Sequence, residues 1–514
     1  MRAHTRPSTV AQVVAERARE AGGQLALAVA ADGRSLTYAA LAEHIAAWAP
    51  AFRGPEAPWR RRVGLAIGDP LGFAAAYLSL LAAGVTAAPL NPEAAPAECR
   101  RQAELLDLDL VVTDLPDLDC GGPCPTWSLE DGVPPPPGPR TSGRPTLPGA
   151  AGQPAVLLAS SGTTGTPKIV PLAERQLLSV ATRIAAHHRL GPAEHGYSPL
   201  PLFHVNAQVV GLLSTLVAGA SLVVDRRFRR TDFWAHLAEW RVTWLNAVPA
   251  VLAILADGPA PPEETTARLR FARSASAPLP PAVQARFEER TGVSVLETYG
   301  MTEAASQVTA NPIDPAERRP GSAGLPVGLE LRVVDPEGAP CPPGDDGAIE
   351  IRGRDVITHY LRPDGGPRPA RGEDGWLVTG DVGHVDERGF VFLTGRADDV
   401  INCGGEKIYP REIEDVLRAH PAVTQAVVVG RRDDVLGECP VAYVTTSDGA
   451  VAGELAVALM QRCEAQLGRS RRPRRLVVVD RVPTGPTGKV SRRLLQRDAA
   501  ELRDLAAVEQ TRAS

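Results

Sequence analysis

Residues 157–172 read LLASSGTTGTPKIVPL, two apolar runs separated by a loop of Ser, Thr, Gly and Pro that ends in one lysine, Lys168. The pattern predicts a strand, a loop and a second strand. Gly162 and Gly165 let backbone N–H groups approach an anion closely, and the hydroxyls add further donors. A Walker loop needs Gly-Lys-Ser/Thr, whereas Pro167 and Ile169 flank the lysine here. The alternatives are therefore a different kind of phosphate loop or an ordinary polar turn.

Lysine is rare in this chain, which bears on that choice. Lysine and arginine together total 55, and the lysines are Lys168, Lys407 and Lys489. Arginine serves wherever a general surface cation suffices, so a retained lysine indicates a need for a compact ammonium group. All three lysines lie in glycine-containing loops, which favours a chemical role.

Composition limits the class of protein. The chain has 514 residues, a net charge of −5 and seven cysteines. This charge gives no general attraction to nucleic acid or to anionic membranes. The N-terminus lacks the apolar core of a signal peptide, and residues 194–225 hold too many polar and proline residues for a membrane helix. The cysteines lack metal-ligand spacing, so we expect a cytoplasmic protein without zinc or structural disulfides.

Strand and helix patterns alternate through the first half of the chain. The runs LALAVAA, RVGLAIG, LDLVVTD, AVLLAS and ASLVVD predict strands, and LGFAAAYLSLLAAG predicts a helix between two of them. This alternation predicts an α/β fold with a largely parallel sheet. Residues 131–148 predict a surface loop. After about Gly380 the sequence pattern changes to short strands and a helix that begins near Pro410. This change predicts a small mobile α+β domain.

Two further stretches carry candidate chemistry. In LETYGMTEAA, residues 296–305, Thr302 can donate to a phosphate and Glu303 is a hard oxygen ligand for Mg²⁺. The alternative is a helix start, with Thr302 as its cap. Downstream, Asp381 can accept both hydroxyls of a ribose and Arg396 can hold a sugar or phosphate. The alternative for this pair is a β-hairpin with solvated charges.

Taken together, the motifs resemble the acyl-adenylate-forming superfamily, which includes acyl- and aryl-CoA synthetases, peptide-synthetase adenylation domains and luciferases. The resemblance spans nearly the whole chain. Its landmarks, in order, are SLTYAALA at 35, SSGTTGTPK at 160, PLFHVN at 201, SASAPL at 274, YGMTE at 299, TGD at 379, GRADDVINCGGEKIYPREIE at 395 and PTGK at 486.

The resemblance implies a large domain of stacked α/β layers, residues 1–397, and a mobile C-terminal domain, residues 398–514. It implies that a carboxylate attacks the α-phosphate of ATP with Mg²⁺ present, and that CoA then displaces AMP from the acyl-adenylate. The nucleotide-binding residues implied are Ser160, Ser161, Gly162, Thr163, Thr164, Gly165, Lys168, Ser276, Ala277, Pro278, Glu297, Thr298, Tyr299, Gly300, Met301, Asp381 and Arg396.

Other roles follow from the same resemblance. The catalytic residues implied are Lys489, Thr302, Glu303 and His204, and Glu303 is the metal ligand. Lys489 would bridge the attacking carboxylate and the α-phosphate, and Asp398 would be the hinge. The implied CoA-binding residues are Cys403, Gly404, Gly405 and Lys407, with Arg469 to Arg475 as a candidate contact for the 3′-phosphate or simply a solvated basic face. His204 is either a gate of the acyl pocket and thiol tunnel or a packed core histidine.

One position indicates to which branch of the superfamily the chain belongs. Amino-acid adenylation domains place an aspartate after the phenylalanine of PLFHVN, whereas here His204 follows Phe203. The expectation is an acyl- or aryl-CoA ligase for a hydrophobic, small-molecule carboxylic acid with at most one polar group. The implied acyl-pocket residues are Asn206, Gln208, Asn246 and Val248. Four alternatives stay open: loading of a carrier protein, a single half-reaction, luciferase-type chemistry and a non-catalytic nucleotide-binding homologue.

Overall fold

The structure is a computed structural model, and it describes residues 9–52, 62–116, 118, 124–129, 154–160, 168–362, 366–404, 406–433, 435–446, 452–483, 490 and 492–496. The chain divides into two compact units. The first comprises residues 1–279, 286–331 and 351–377, and the second comprises residues 280–285, 332–350 and 378–514. The predicted surface loop, residues 131–148, lies outside the described residues.

The helices are α1 Val10–Ala21, α2 Tyr38–Phe52, α3 Pro70–Ala82, α4 Pro96–Leu105, α5 Glu174–His187, α6 Ser214–Ala218, α7 Phe233–Glu239, α8 Pro249–Ala256, α9 Glu263–Thr266, α10 Pro281–Thr291, α11 Pro410–Arg418, α12 Ala452–Arg471 and α13 Arg492–Gln496. A π-helix covers Ala207–Leu213, and short 3₁₀ turns cover Thr302–Ala304, Pro315–Glu317 and Ala397–Asp399.

The strands of the first half are β1 Leu25–Val29, β2 Ser35–Thr37, β3 Arg62–Ala66, β4 Thr86–Pro89, β5 Leu110–Thr113, β6 Thr126–Ser128, β7 Val156–Ser160, β8 Lys168–Leu172, β9 His195–Ser198, β10 Ser221–Val224, β11 Trp244–Ala247, β12 Phe271–Ser274 and β13 Val295–Tyr299. Those of the second half are β14 Thr309–Ala310, β15 Leu325–Pro326, β16 Glu330–Val334, β17 Gly347–Arg352, β18 His359–Leu361, β19 Pro367–Pro369, β20 Leu377–Val385, β21 Val391–Arg396, β22 Ile401–Cys403, β23 Glu406–Ile408, β24 Val423–Asp433, β25 Gly437–Thr446 and β26 Arg475–Val478.

The first unit contains a nine-stranded sheet in the order β15-β14-β13-β12-β11-β9-β10-β1-β2. Its six central strands, from β13 to β1, pair in parallel, and antiparallel strands close both edges. The central strands are short, buried and apolar, as expected for a parallel sheet covered on both faces. Because they are parallel, their carboxyl ends lie at one edge, where α/β sheets bind ligands.

A second sheet of eight strands, β19-β18-β8-β7-β4-β3-β5-β6, completes the first unit. Helix α3 contacts β1 of the nine-stranded sheet and both β3 and β4 of this one, so it lies between the two sheets. Eleven of its residues are buried, from Pro70 to Leu81. A helix that is apolar all round is stable only when covered on every side. The pattern LGFAAAYLSLLAAG therefore specifies a central helix of this layered unit.

The second unit is built on two smaller sheets. A four-stranded sheet has the order β16-β17-β20-β21, and a five-stranded sheet has the order β23-β22-β25-β24 with β26 paired to β25. Helices α11 and α12 pack together, and α11 also packs on β24. Ile413, Leu417, Leu459 and Cys463 form part of their shared core. This α+β arrangement agrees with the change of sequence pattern that was predicted after about residue 380.

The structure confirms the predicted α/β class, the large and small domains and the strands and helix named from sequence. Residues 194–225 form β9, the π-helix, α6 and β10. No helix within the described ranges is long and apolar enough to cross a membrane. The domain boundary at residues 397 and 398 stays a prediction, and it coincides with the 3₁₀ turn at Ala397–Asp399.

Candidate active site

The tight turn after β13 positions the YGMTE motif at the carboxyl end of the parallel sheet. A Cβ atom at Gly300 would lie 1.5 Å from the backbone oxygen of Ser306, so no larger residue fits there. Ala305 and Ser306 have φ values of 53° and 106°. Such left-handed backbone in non-glycine residues is strained and is commonly retained at functional sites. The turn holds Thr302 half-buried and Glu303 buried in a 3₁₀ helix.

Glu303 is held in place from both its backbone and its side chain. The Tyr360 hydroxyl donates to Glu303 Oε1 over 3.0 Å. The backbone N–H of Ile357 donates to the Glu303 carbonyl oxygen over 2.9 Å. The residue is 8% exposed. A buried carboxylate with a defined hydrogen-bond partner is oriented rather than free to rotate, which suits a ligand-binding role.

Two cations lie over the ring of Tyr360. The Lys168 Nζ atom is 5.4 Å from the ring centroid, and the guanidinium carbon of Arg368 is 5.0 Å from it. Contacts of this kind contribute about 0.5 to 2 kcal/mol. Lys168 begins β8 directly opposite Ser160 of β7. The structure therefore brings Lys168 and Glu303 to the same tyrosine, although 135 positions separate them.

Part of the predicted phosphate loop lies outside the described residues. This applies to Ser161, Gly162, Thr163, Thr164 and Gly165, and the side chain of Ser160 is likewise not described. The paired strands β7 and β8 fix where the loop leaves and re-enters the eight-stranded sheet. Its role in phosphate binding stays a prediction.

The surroundings of Glu303 fit a magnesium ion that is shared with phosphates. No described residue hydrogen-bonds its second carboxylate oxygen, Oε2, so that atom is available as a ligand. The described residues contain no group of three or more His, Cys, Asp or Glu side chains that could hold a metal. Mg²⁺ characteristically binds one or two carboxylates and completes its shell with water and substrate phosphates. One oriented carboxylate is therefore sufficient.

The residues predicted to line the adenine slot lie on β12, β13 and the segments that follow them. Ser276, Ala277 and Pro278 are exposed after β12, and Ser276 has a φ of 71°. Glu297 accepts from the Leu279 N–H at 3.3 Å. The remaining predicted residues, Thr298, Tyr299, Gly300 and Met301, follow on β13 and its turn. The structure thus brings this set together at adjacent strand ends.

The predicted acyl-pocket residues form a polar network beneath the π-helix. Asn206 Nδ2 donates to Ser276 Oγ over 3.0 Å. Asn246 Nδ2 lies 3.3 Å from both Ser198 Oγ and Asn206 Oδ1. Arg273 Nη1 donates to both asparagine carbonyl oxygens. Asn206 and Asn246 therefore share one hydrogen-bonded network with the buried Arg273, and their role in an acyl pocket stays a prediction.

The other residues predicted for the acyl pocket lie in or next to the π-helix and before α8. Gln208 is fully buried in the π-helix, and its Nε2 donates to the Leu202 carbonyl oxygen over 3.0 Å. Val248 is half-buried and precedes α8. His204 is half-buried, and its ring centroid lies 4.2 Å from that of Phe203. Its contact with Phe203 leaves both predicted roles, gate and packed histidine, open.

Asp381 and Arg396 face each other across the hairpin of the second unit. They are opposite residues on antiparallel β20 and β21, and Arg396 Nη1 donates to Asp381 Oδ1 over 2.9 Å. The Asp381 N–H also donates to Thr379 Oγ1 over 3.0 Å. The two residues do lie on paired antiparallel strands, as the hairpin alternative expects, but the Asp381 side chain is only 13% exposed and is not a solvated charge. The ribose role of this pair stays a prediction.

The predicted hinge and CoA-binding residues lie on short elements of the second unit. Asp398 is exposed in the 3₁₀ turn, Cys403 ends β22, and Lys407 is exposed on β23. Gly404 has a φ of 60°, which favours glycine. Gly405 and Lys489 lie outside the described residues.

Part of the basic stretch 469–475 is already paired. Arg471 Nε lies 3.1 Å from Glu406 and its Nη1 lies 3.4 Å from Glu412. These carboxylates raise the pKa of Arg471, with the Glu406 hydrogen bond as the main cause. The CoA phosphate role of this stretch therefore stays a prediction, and Arg471 would need to exchange partners to fulfil it.

Sequence reasoning missed two residues of the site. Tyr360 lies 57 positions from Glu303, and no motif points to it. Arg273 could have been found from the sequence, because it is a charged residue in the predominantly uncharged stretch FARSASAPL. It comes directly before the landmark SASAPL. A charge in a short buried strand is costly unless it is paired, and so indicates a function.

Comparison with known proteins identifies the family of this site. A family model described as AMP-binding enzyme matches residues 14–361, and a second, described as AMP-binding enzyme C-terminal domain, matches residues 412–489. The chain belongs to the AMP-binding enzyme family. This confirms the predicted membership of the acyl-adenylate-forming superfamily, in its CoA ligase branch.

This AMP-binding enzyme is similar in sequence or structure to three known proteins. It is 36% identical over 507 residues to a sulfoacetate–CoA ligase from Cupriavidus necator, covering 96% of this chain and 99% of the relative. ATP-bound MatB from Rhodopseudomonas palustris matches with a TM-score of 0.82 and 29% identity, covering 96% and 99% of the two chains. Bacillus subtilis MenE, an o-succinylbenzoate CoA synthetase with ATP and magnesium, matches with a TM-score of 0.79 and 26% identity, covering 95% and 99%.

These relatives also bear on the predicted cofactors of the AMP-binding enzyme. ATP, Mg²⁺ and CoA are the cofactors of its family, since relatives are named as CoA ligases and their structures hold ATP or ATP with magnesium. This agrees with the prediction from sequence.

Proposed function

We propose that this chain is an ATP-dependent carboxylate–CoA ligase that forms AMP and passes through an acyl-adenylate. The observation that carries the proposal is the meeting of Lys168 and Glu303 at Tyr360. A flexible ammonium and an oriented carboxylate, both beside a strand-end turn, are the groups needed to bind a magnesium polyphosphate. The match of both family models along the chain supports the same reaction.

The chemistry requires an anion to attack a polyanion. In the first step the carboxylate oxygen bonds to the α-phosphorus of ATP, and the bond to the departing pyrophosphate breaks. Mg²⁺, when bound, neutralises charge on the phosphate oxygens. Positioning and electrostatic stabilisation then supply most of the rate. Lys168 would hold the departing pyrophosphate, Thr302 would donate to a phosphate oxygen, and Lys489 would approach the reacting oxygens.

In the second step the CoA sulfur attacks the carbonyl carbon of the acyl-adenylate, and AMP leaves. The proposed hinge at Asp398 would exchange the face that carries Lys489 for the face that carries Cys403 and Lys407. Gly404, with its positive φ, would allow close backbone approach to the thiol arm of CoA. The proposal places both half-reactions in one chain.

The acid is proposed to have an apolar body and one polar end. The buried π-helix Ala207–Leu213 contributes Val209, Val210 and Leu212, which support the predicted hydrophobic body. The buried amides of Asn206 and Asn246 support a polar group on the acid. Two relatives are named for acids, sulfoacetate and o-succinylbenzoate, that carry a second acidic group.

The deciding experiment measures acid-dependent exchange of labelled pyrophosphate into ATP, followed by mass spectrometry of the CoA product. We expect exchange with at least one acid of a broad panel and a CoA thioester of that acid. Glu303→Gln should abolish exchange, while Glu317→Gln, in the turn Pro315–Glu317 where no residue is buried, should leave it unchanged. Acceptance of the acyl group by a holo-carrier protein in preference to CoA would contradict the proposal, as would exchange without thioester formation or a total absence of exchange.

A further inference from the structure

Arg273 is a buried cation without a counter-anion among the described residues. Its side chain is 1% exposed on β12. Nη1 donates to Asn206 Oδ1 at 3.2 Å and to Asn246 Oδ1 at 3.1 Å, and both acceptors are neutral amides. The buried Nε atom has no hydrogen-bond partner. Neutral acceptors cannot compensate a full charge in a desolvated position.

The histidines near Arg273 offer it no negative charge. Arg273 and Arg318 both lie close enough to His187 and His188 for their charges to lower the pKa of these histidines, after the larger effect of burial. Burial alone lowers the pKa of Arg273 to about 9, with no carboxylate acting in the opposite direction. Arg270, three residues earlier on the chain, is different because it pairs with Glu194 at 2.9 Å.

The sheet register places this cation where α/β proteins bind ligands. Asn246 of β11 and Arg273 of β12 are directly paired in parallel strands. Both are penultimate residues of their strands, so they lie at the carboxyl edge of the sheet. Asn206 covers them from the start of the π-helix and links them to Ser276, a predicted nucleotide-binding residue. The cation is thus one hydrogen-bonded asparagine away from the proposed nucleotide site.

A second buried side chain without a described partner lies in the segment that follows the YGMTE motif. Gln307 is 2% exposed, and neither Nε2 nor Oε1 of its amide has a partner among the described residues. It follows the strained turn at Ala305 and Ser306. Buried amides are normally satisfied, and an unpaired one indicates a missing ligand group or water. Its donor is compatible with an anionic ligand.

We propose that the acid activated by this enzyme carries a second anionic group, a carboxylate or sulfonate, which pairs with Arg273 in the acyl pocket. The inference rests on the proposed function and names the substrate class of that site. Asn206 and Asn246 hold the guanidinium in position through Nη1, and no described residue pairs with its Nε. The reacting carboxylate then lies at the other end of a dianionic acid.

The test compares dianionic acids with their uncharged isosteres in the pyrophosphate exchange assay. Malonate, succinate, glutarate and sulfoacetate are each paired with the monoamide or sulfonamide of the same length. For the best acid, we expect kcat/KM to exceed that of its amide by about 100-fold or more, since the amide leaves the buried cation unpaired. Comparing the dicarboxylates with sulfoacetate identifies whether the site binds a second carboxylate or a sulfonate.

Two variants connect this preference to Arg273. Arg273→Met removes the cation at similar length, and Asn246→Asp introduces an internal carboxylate at the atom that Arg273 already contacts. Each should reduce the dianion-to-amide ratio of kcat/KM to within about 10-fold of unity. Arg270→Met, which removes a paired arginine from the same segment, should leave the ratio unchanged. Because the readout is a ratio, a general loss of stability does not imitate the result, and Asn246→Asp serves if Arg273→Met fails to fold.

The outcomes separate the two proposals. Efficient use of hydrophobic monoacids, with dianions poorer or equal, overturns the dianion inference and leaves the ligase proposal intact. A dianion preference that survives both Arg273→Met and Asn246→Asp also overturns it. Absence of exchange with every acid overturns the ligase proposal, and the inference with it.

Discussion

The Tyr360 hydroxyl donates to the Glu303 carboxylate over 3.0 Å, joining β18 to the turn after β13 across 57 residues of sequence. The same tyrosine ring lies beneath the Lys168 ammonium. One aromatic side chain therefore links the proposed metal ligand to the proposed phosphate lysine. This arrangement restricts the rotation of both groups before any substrate binds.

Tyr360→Phe should weaken the apparent binding of Mg²⁺ during adenylation. The variant keeps the ring beneath Lys168 but releases Glu303 Oε1, so the apparent Mg²⁺ affinity should fall about 10-fold or more. The measurement is pyrophosphate exchange as a function of Mg²⁺ concentration. Tyr77→Phe is the matched control, because the buried Tyr77 hydroxyl has no hydrogen-bond partner among the residues that the structure describes. An unchanged Mg²⁺ titration in Tyr360→Phe would refute the orienting role.

Lys489→Arg should separate the two half-reactions. The planar guanidinium cannot replace a compact ammonium between reacting oxygens, so adenylation should fall about 100-fold or more. Thioester formation from a pre-made acyl-adenylate should be spared, since that step uses the other face of the small domain. Lys407→Ala is the reciprocal variant and should impair mainly the second step. Equal losses in both steps for Lys489→Arg would contradict the prediction.

Asp381→Asn should raise the KM for ATP. A carboxylate binds both ribose hydroxyls more strongly than an amide does, so an increase of about 10-fold is expected with little change in Tm. The Tm should hold because Arg396, its 41% exposed partner, can still donate to an amide oxygen at this position. Glu330→Gln neutralises one carboxylate of an exposed ion pair, that with Arg352, and serves as the control. An unaltered KM for ATP would leave Asp381 as a hairpin residue.

Gly300→Ala should destabilise the first unit strongly. Its Cβ would meet the Ser306 backbone oxygen at 1.5 Å, and backbone cannot yield as a flexible side chain does. A cost of about 3 kcal/mol or more is expected, seen as a Tm reduced by several degrees. Gly191→Ala is a suitable comparison, because a Cβ there meets nothing within 4 Å. Similar melting of the two variants would show that the turn can relax.

Buried His188 should make the protein less stable in mild acid. Burial, assisted by nearby Arg273, lowers its pKa well below the ordinary 6.5. Below the ordinary value the unfolded chain binds a proton that the folded protein excludes. Stability is therefore present above about pH 6.5 and is lost as the pH falls, by up to about 1.4 kcal/mol per pH unit.

His188→Leu removes this proton linkage. Its Tm should decline less than that of the natural chain between about pH 7 and pH 5. His187 remains in the variant, with its pKa also lowered by burial, so a residual slope is expected. Parallel pH profiles for the two proteins would rule out His188 as the source.

Many strands and motifs of this protein could be predicted from short contiguous stretches of sequence, without tertiary information. Short β-branched and aliphatic runs identified β1, β3, β5, β7 and β10, because strand periodicity and burial act within a few residues. The motifs around Lys168, Thr302, Glu303, Asp381 and Lys489 identified the family, because each is contiguous. These elements were sufficient to predict the α/β class and a nucleotide-dependent ligase.

Tertiary structure decided the features that depend on distant residues. Tyr360, on antiparallel β18 of the eight-stranded sheet, reaches Glu303 after β13 of the nine-stranded sheet because both sheets pack in one unit. Arg273 reaches Asn246 because β12 and β11 are paired in parallel, and Asn206 joins them from the start of the π-helix. A sequence shows that Arg273 is charged, but it does not show that the surrounding acceptors are neutral. That missing counter-charge is a property of packing in a desolvated interior, and it is what points to the chemical class of the acid.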